Sequence, residues 1–275
     1  MGDITLSAAV RSNLLALNNT AKLIDRTQDR LSTGLRVGSP TDNAKAFFEA
    51  KGLSSRAATI NEKKDGIDQA VSSVSVALQA VNALDSLVEQ LKGVVNSAAS
   101  ASTGTEFTEL NTQYASLLSQ IDNLTADSTY QGVNLVNSTT STLTVRFSNS
   151  TSSKLTITGV KLDQSGLSLN LATGATADLS QATSRATHIN SLDAAIATLD
   201  SKAKTLGSNV ALLQTRLDFS TAYANELQAG ADKLTLANIT EEGANLVALQ
   251  TRQQLGISSL SFAGNSEQSV LSLFR

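Results

Sequence analysis

Residues 67–98 have the sequence IDQAVSSVSVALQAVNALDSLVEQLKGVVNSA. Apolar residues recur in this segment at alternating spacings of three and four, which places them along one face of an α-helix. They are Ile67, Ala70, Val74, Ala77, Val81, Leu84, Val88, Leu91, Val95 and Ala98. No polar residue interrupts this face, so we predict one long helix whose apolar side is covered by other helices.

The same period continues outward in both directions. It predicts a third helix from Phe107 to Leu124, antiparallel to the second after a turn at residues 100–104, and a long helix from Ile189 to Leu234. At the N-terminal end the period is carried by Val10, Leu14, Leu17, Ala21, Ile24, Gln28, Leu31 and Leu35. At the C-terminal end it is carried by Leu246, Leu249, Gln253, Gly256, Leu260, Ala263, Val270 and Phe274.

The N-terminal helix is predicted to end where Gly34, Gly38 and Pro40 crowd together. Proline lacks the donor N–H and disfavours helix in the residue before it. Residues 39–43 therefore form a turn into the next helix, and we interpret Gly34, Gly38 and Pro40 as a hinge. Arg30 and Arg36 flank this hinge, where ion pairs with a neighbouring subunit and plain solvation are both open interpretations.

Between residues 137 and 174 the period changes to two, which predicts short β-strands. Leu143, Val145 and Phe147 alternate with polar residues, as do Leu155 with Ile157, and a third strand is predicted at Leu167, Leu169 and Leu171. The polar segment 148–153 is the expected turn between the first two strands.

These patterns predict a mainly α fold. We expect an elongated rod of long antiparallel helices, with coiled-coil helices at the termini and a small β region at the outer tip. Three parts are expected: residues 1–40 with 236–275 as terminal helical assembly segments, 41–136 with 183–235 as a helical rod, and 137–182 as a variable β region. The N-terminal helix has no partner nearby in the sequence, so the two ends are expected to pair and to be loosely ordered until neighbours bury them.

The composition excludes several classes of function. The chain has no cysteine and a net charge of -3 with scattered basic residues, so disulfides, thiolate chemistry and nucleic-acid binding are not expected. No run approaches the ~18 apolar residues that cross a bilayer, and the first residues lack the pattern of a cleavable signal. We therefore expect no membrane partner.

No residue pattern predicts catalysis. His188 is the only histidine, and a solvated or helix-capping role is favoured over metal binding. The carboxylate pairs Glu241 with Glu242, and Asp25 with Asp29, are interpreted as charged faces of amphipathic helices rather than acid–base pairs. No cofactor, metal site or enzymatic activity is expected.

Both ends of the chain resemble bacterial flagellin. At the N-terminal end the resemblance is carried by Leu17-Asn18-Asn19-Thr20, by Arg30-Leu31-Ser32-Thr33-Gly34-Leu35-Arg36-Val37 and by Pro40-Thr41-Asp42-Asn43-Ala44. At the C-terminal end it is carried by residues 241–246, 249–256 and 269–275. Residues 91–95 differ from the Arg-Glu-Leu element that the Toll-like flagellin receptor recognises in well-known flagellins, so that recognition is not expected here.

The resemblance implies a secreted structural subunit that polymerises into the extracellular flagellar filament used for motility. It also implies, as partners, copies of the same chain, the flagellar export apparatus, an export chaperone, and the cap and junction proteins. A hook–filament junction protein and a secreted coiled-coil adhesin or effector, binding through residues 138–174, are the alternatives. The residues expected at the assembly interface are Leu14, Leu17, Ile24, Leu31, Leu35, Leu246, Leu249, Leu260 and Phe274.

Overall fold

The computed structural model describes residues 8–169 and 178–273. Within these ranges the chain forms long helices and one small antiparallel sheet, so the predicted mainly α fold with a small β region is confirmed. In chain order the elements are α1 (Ala8–Thr33), α2 (Ala44–Ala98), α3 (Gly104–Asp127), β1 (Thr142–Arg146), β2 (Lys154–Thr158), α4 (Ala182–Thr235) and α5 (Ile239–Leu273).

Helix α2 supplies the main core. All ten residues of its predicted apolar face, from Ile67 to Ala98, are at most 5% exposed. Tyr114 and Ile121 of α3 and Leu199 of α4 belong to the same buried cluster. Because aliphatic side chains dominate this cluster, its stability comes from apolar burial along the helix faces.

Helix α2 also bears on the expectation about membranes. It contains an 18-residue window of mean hydropathy 1.3, so by length and composition it is apolar enough to cross a bilayer. The expectation that no described segment would meet that test is wrong. The apolar face of α2 nevertheless lies in the core, and a buried core helix meets the same test.

Side chains define where two of the helices begin. The Asn43 Oδ1 atom accepts from the backbone N–H of Ala46 at the start of α2. Thr103 and Glu106 form a capping box at the start of α3, in which each side chain accepts from the other's backbone N–H. The turns predicted at residues 39–43 and 100–104 are therefore present.

Strands β1 and β2 form the predicted hairpin. Leu143 pairs with Ile157 and Val145 with Leu155, and the connection is the polar segment 148–153. The third strand is wrong for the described residues, because Leu167 lies in a turn and Leu169 follows it, although both are buried. Burial of alternate residues in a turn gives the same pattern as a strand. Leu171 lies outside the described residues.

The chain divides into two compact units. The terminal unit comprises the described parts of residues 1–56 and 226–275, and the central unit the described parts of residues 57–225. The central unit contains the core on α2 and the β hairpin. The terminal unit contains α1 and α5, the two helices expected to take part in assembly.

Candidate assembly interface

Helix α1 packs against helix α5 within one chain, so the expected pairing of the two ends is present. The backbone joins the two segments next to this pair. The N–H groups of Arg36 and Val37 donate to the Thr235 carbonyl oxygen at 2.7 and 3.1 Å, and the Ala237 N–H donates to the Gly34 carbonyl oxygen at 2.9 Å. These bonds fix where the two helices start to run alongside each other.

Gly34 ends helix α1. Its φ of +70° lies in the left-handed region, which glycine adopts without a steric penalty and which reverses the chain after a helix. A second turn follows, in which the Asp42 carboxylate accepts from the N–H groups of Gly38 and Ser39 and from the Ser39 hydroxyl. The hydrogen bonds from Ser39 lower the pKa of Asp42. Pro40 lies at the exposed start of this turn.

Replacing Gly34 by alanine tests this geometry. We expect Gly34→Ala to destabilise the junction between α1 and α5 by about 1 kcal/mol, because a Cβ is strained at that φ. Gly38→Ala is the matched control, since Gly38 has an ordinary φ and no heavy atom lies within 4 Å of its added Cβ. Amide hydrogen exchange along α1 is the measurement, and equal exchange rates in the two variants would contradict the expectation.

The inward face of α5 follows the predicted pattern. Its half-buried members are Leu246, Leu249, Gln253, Gly256, Leu260 and Ala263. Gly256 lies directly opposite α1, because a Cβ there would come within 3.2 Å of the Leu17 Cδ1 atom. The absence of a side chain at Gly256 thus lets the two helices approach closely.

The inward face of α1 differs from the predicted one. Val10 and Ile24 are buried and Leu17 and Leu31 half-buried, as expected, but Leu14 is 43% exposed. Within the chain, Leu14 and Gln28 therefore do not face α5, and the place of Leu14 at the assembly interface stays a prediction. On the neighbouring row the helix buries Thr20 and Thr27, and Asn13 is half-buried.

The reason is that two rows of residues share every seventh position. Val10, Leu17, Ile24 and Leu31 belong to both rows. The positions between them are Leu14, Ala21 and Gln28 in one row, and Asn13, Thr20 and Thr27 in the other. Burying Thr20 leaves no unpaired donor, because its hydroxyl donates to the Ala16 carbonyl oxygen at 2.9 Å. At the first of these positions the more apolar residue, Leu14, lies outside the helix pair, and Asn13 beside it is half-buried.

An ion pair links the two helices. The Arg30 Nη1 atom lies 2.9 Å from the Glu242 Oε1 atom, and Glu242 is only 7% exposed. Arg30 is therefore bound within the chain, and the interpretation of Glu242 as part of a solvated face is wrong. Both charges also interact favourably with the helix dipoles. Arg30 lies in the last turn of α1, where a cation is stabilising, and Glu242 lies in the first turn of α5, where an anion is stabilising.

The outer surfaces of α1 and α5 expose large apolar side chains. Leu15, Leu255 and Phe262 are 66%, 66% and 75% exposed, respectively. Leu14, Leu23, Val247 and Ile257 add to this surface. We call these residues the outer apolar face. The sequence pattern missed Leu15 and Phe262, because it selected only residues that share one face.

The two remaining predicted interface residues, Leu35 and Phe274, are not seen in the contact between α1 and α5. Leu35 is half-buried and forms a β-bridge with Leu236, so it belongs to the junction rather than to the face between α1 and α5. Phe274 lies outside the described residues.

Among the described residues, no group of three or more histidine, cysteine, aspartate or glutamate side chains is arranged to hold a metal ion.

His188 is buried, so the favoured solvated or capping role is wrong. It is 6% exposed in the central unit, and its Nδ1 atom lies 3.2 Å from the Tyr114 hydroxyl. The two rings meet edge to face with centroids 5.1 Å apart. Burial lowers the pKa of His188 and raises the pKa of Tyr114 to about 12.

This burial predicts loss of stability in weak acid. The unfolded chain binds a proton at His188 near pH 6.5, whereas the folded chain resists it, so stability is complete above that pH and falls below it. The loss is at most about 1.4 kcal/mol for each pH unit between the unfolded and folded pKa values.

Urea unfolding at about pH 7.5 and about pH 5.5 measures this loss. His188→Gln, which does not titrate but still offers Tyr114 an acceptor, should lose less stability over the same range. The comparison also separates His188 from Asp85, whose pKa is raised by its burial and which acts in the opposite sense. Equal pH dependence in the two proteins would contradict the expectation.

Comparison with known proteins decides the family. Residues 5–141 match the bacterial flagellin N-terminal helical region, and residues 189–274 match the C-terminal helical region. Flagellin FljM of Caulobacter vibrioides is 33% identical over 276 residues, covering 100% of this chain and 99% of the relative. A flagellin of Brucella melitensis is 30% identical, with both chains fully covered. The chain belongs to the bacterial flagellin family.

As a flagellin, it is a structural subunit of the flagellar filament. Full-length similarity to flagellins does not favour a junction protein or an adhesin. A putative flagellar hook-associated protein from Vibrio parahaemolyticus has a TM-score of 0.59 and covers 71% of this chain and 100% of its own, but at 11% identity this similarity shows the fold alone. Residues 142–188 of this flagellin, which include the β hairpin, lie between the two matched regions.

Proposed function

We propose that this flagellin is exported and polymerises outside the cell, and that the pair of α1 and α5 forms its axial assembly segment. The observation that carries the proposal is the outer apolar face. Phe262 is 75% exposed and Leu255, on the same helix, is 66% exposed. Such side chains stabilise a structure only when another surface removes them from water. In a family of filament subunits, we expect that surface to belong to other copies of the same chain.

The predicted interface residues then differ in their proposed roles. Leu17, Ile24, Leu31, Leu246, Leu249 and Leu260 hold α1 and α5 together and so create the surface that other copies bind. Leu14 belongs to that outer surface itself. Leu35, at the junction, ties the pair to the end of α4. Phe274, outside the described residues, is proposed to take part in assembly as well.

Gly34, Gly38 and Pro40 are proposed to act as a hinge during assembly. Gly34 provides the left-handed conformation, and the Asp42 turn provides a second point of bending. Residues 1–40 with 236–275 would adjust at this hinge to the lattice, while residues 41–136 with 183–235 stay folded. Residues 137–182 are proposed to be a variable region outside the axial contacts.

Export and its partners are proposed on the basis of membership of the flagellin family. We propose that the chain passes through the flagellar export apparatus with a chaperone on its terminal segments, and that cap and junction proteins hold the two ends of the filament. Pairing of α1 and α5 suits this route, because the inward face of α5 is only half-buried and the pair is therefore easier to unfold than the fully buried core on α2. No enzymatic activity is proposed.

Seeded polymerisation tests the proposal. Purified chain is mixed with short filament fragments and salt, and the product is sedimented and imaged by electron microscopy. A filament subunit should add to the seeds without limit and form long filaments, because its contacts do not close into a ring. Short rings, caps or unchanged monomer would overturn the proposal in favour of a junction protein or an adhesin.

A further inference from the structure

The hairpin of β1 and β2 presents a polar face to solvent. The alternate residues that form this face are all exposed. They make three pairs across the two strands, namely Thr142 with Thr158, Thr144 with Thr156, and Arg146 with Lys154. We call these six residues the outer hairpin face. The residues between them point to the other side of the sheet, where Val145 and Ile157 belong to the buried cluster of the central unit.

The two cations of this face lie directly opposite each other. The Phe147 N–H donates to the Ser153 carbonyl oxygen at 3.0 Å, so Phe147 and Ser153 are a hydrogen-bonded pair. Arg146 and Lys154, the next pair along the strands, are therefore a non-hydrogen-bonded pair, in which the Cα atoms are about 4.5 Å apart and the side chains are close. Like charges in this arrangement destabilise a sheet. An anion bound between the two side chains would remove the repulsion.

No carboxylate of the hairpin supplies that anion. Residues 128–162 contain three basic residues and no aspartate or glutamate. One of the three, Lys161, lies 3.3 Å from the Asp163 carboxylate. Arg146 and Lys154 form no salt bridge with any residue that the structure describes.

Helix α4 does not supply the anion either. It lies on the inner side of the sheet, where the Arg216 guanidinium group stacks on the Phe147 ring at 5.0 Å from the centroid. The charge that α4 brings closest to Phe147 is thus another cation. Asp218 is the nearest carboxylate to Arg216 in the sequence of α4, and it lies about 200° around the helix from Arg216.

We infer that the outer hairpin face binds a polysaccharide that carries carboxylate groups. The Arg146 guanidinium group binds a carboxylate in a planar, bidentate geometry, and Lys154 adds a second positive charge beside it. The four threonine hydroxyls along the same face both donate and accept hydrogen bonds, as sugar hydroxyls do. The face has no aromatic ring on which a base stacks and no large apolar side chain that enters a lipid bilayer, so nucleic acids and membranes fit it less well.

Repetition of the face along a filament makes this binding effective. Two exposed charges bind an anion only weakly in one subunit. The inference rests on the proposed function, because a filament repeats the outer hairpin face in every subunit and one long polysaccharide contacts many of them at once. Both strands lie between the two regions that match the flagellin family, so the face is a feature of this chain that the family match does not explain.

Cosedimentation of filaments with labelled polygalacturonate, a linear carboxylated polysaccharide, tests the inference. Arg146→Gln with Lys154→Gln should raise the half-saturating concentration about tenfold or more, because both carboxylate contacts are lost in every subunit. Lys45→Gln with Lys204→Gln removes the same charge from side chains that are 84% and 80% exposed outside the hairpin, and it should bind like the original chain. Dextran, which is uncharged, should not sediment with any of these filaments.

A second variant separates recognition of a sugar from attraction of any anion. Thr144→Val with Thr156→Val keeps both cations and the β-branched shape of the strands but removes two hydroxyls. It should also weaken retention of polygalacturonate, whereas retention of the original strength would leave only a charge effect and would overturn the assignment to a polysaccharide. Amide hydrogen exchange of β1 and β2 checks that each variant keeps the hairpin.

Monomer attached at high density to beads keeps the test independent of polymerisation, because the beads also present many copies of the face. If the original chain does not form filaments but its beads retain polygalacturonate, the proposed function fails and the binding face stands. Equal retention by the original chain and by Arg146→Gln with Lys154→Gln would overturn the inference. Stronger retention of vesicles containing anionic lipid than of polygalacturonate would overturn it in favour of a membrane surface.

Discussion

Filament growth is expected to stop when Leu260 is replaced by aspartate, while the central unit keeps its melting temperature. Leu260 is half-buried on the inward face of α5, and α5 has no charged residue between Arg252 and Glu267. A carboxylate there would have no cation close by in the sequence of α5. Burying it would cost on the order of several kcal/mol per subunit.

Loss of growth without a change in melting temperature is expected because Leu260 is not part of the core of the central unit. Calorimetry of the monomer reports mainly that core, whereas seeded growth requires α1 and α5 to pair and present their outer surface. Leu199→Ala should give the opposite result, lowering the free energy of unfolding by about 2–5 kcal/mol because Leu199 is fully buried in the central unit.

Leu260→Met is the matched control, since it conserves volume and adds no charge, and it should grow normally. Filaments that form at the usual critical concentration with Leu260→Asp would show that assembly does not need an apolar residue at this position of the α1–α5 pair. A large fall in monomer melting would show that α5 stabilises the central unit before assembly. Either result would remove Leu260 from the proposed interface.

Helix positions were predictable from the sequence because the buried faces are nearly uninterrupted. The ten residues from Ile67 to Ala98 satisfy one spacing without a polar member, and a single helix is the only regular element that buries them together. The hairpin was predictable for a similar reason, since alternating residues flank the polar turn at 148–153. Local periodicity was sufficient in both cases.

The interface was less predictable because it depends on a choice between two faces. Hydrophobicity favours Leu14 over Asn13 as an inward residue, yet Leu14 is 43% exposed and Asn13 is half-buried. That choice is made by the contact with α5, more than 200 residues away in the sequence, and no local pattern contains it. Glu242 and His188 were missed for the same reason, because each is buried against a distant partner, Arg30 or Tyr114.

Removing two side chains from the outer apolar face is expected to abolish growth without destabilising the monomer. Leu255 and Phe262 are seven residues apart on α5, so they lie on the same side of the helix, and they are 66% and 75% exposed. Full burial of such side chains contributes about 1.5–3 kcal/mol each. Because 1.4 kcal/mol corresponds to a factor of ten, Leu255→Ser with Phe262→Ser should raise the critical concentration about 100-fold or more.

The monomer should tolerate this double variant because both side chains are mostly in contact with water before assembly. Ser258→Ala with Ser261→Ala, on the same helix, is the control and should grow normally. Circular dichroism of the monomer and the critical concentration for seeded growth are the two measurements. Unchanged growth would mean that neighbouring copies leave Phe262 in water, and the outer apolar face would then have no role in assembly. Loss of growth with an intact monomer would assign that face to contacts between subunits, because in the monomer both side chains already lie largely in water.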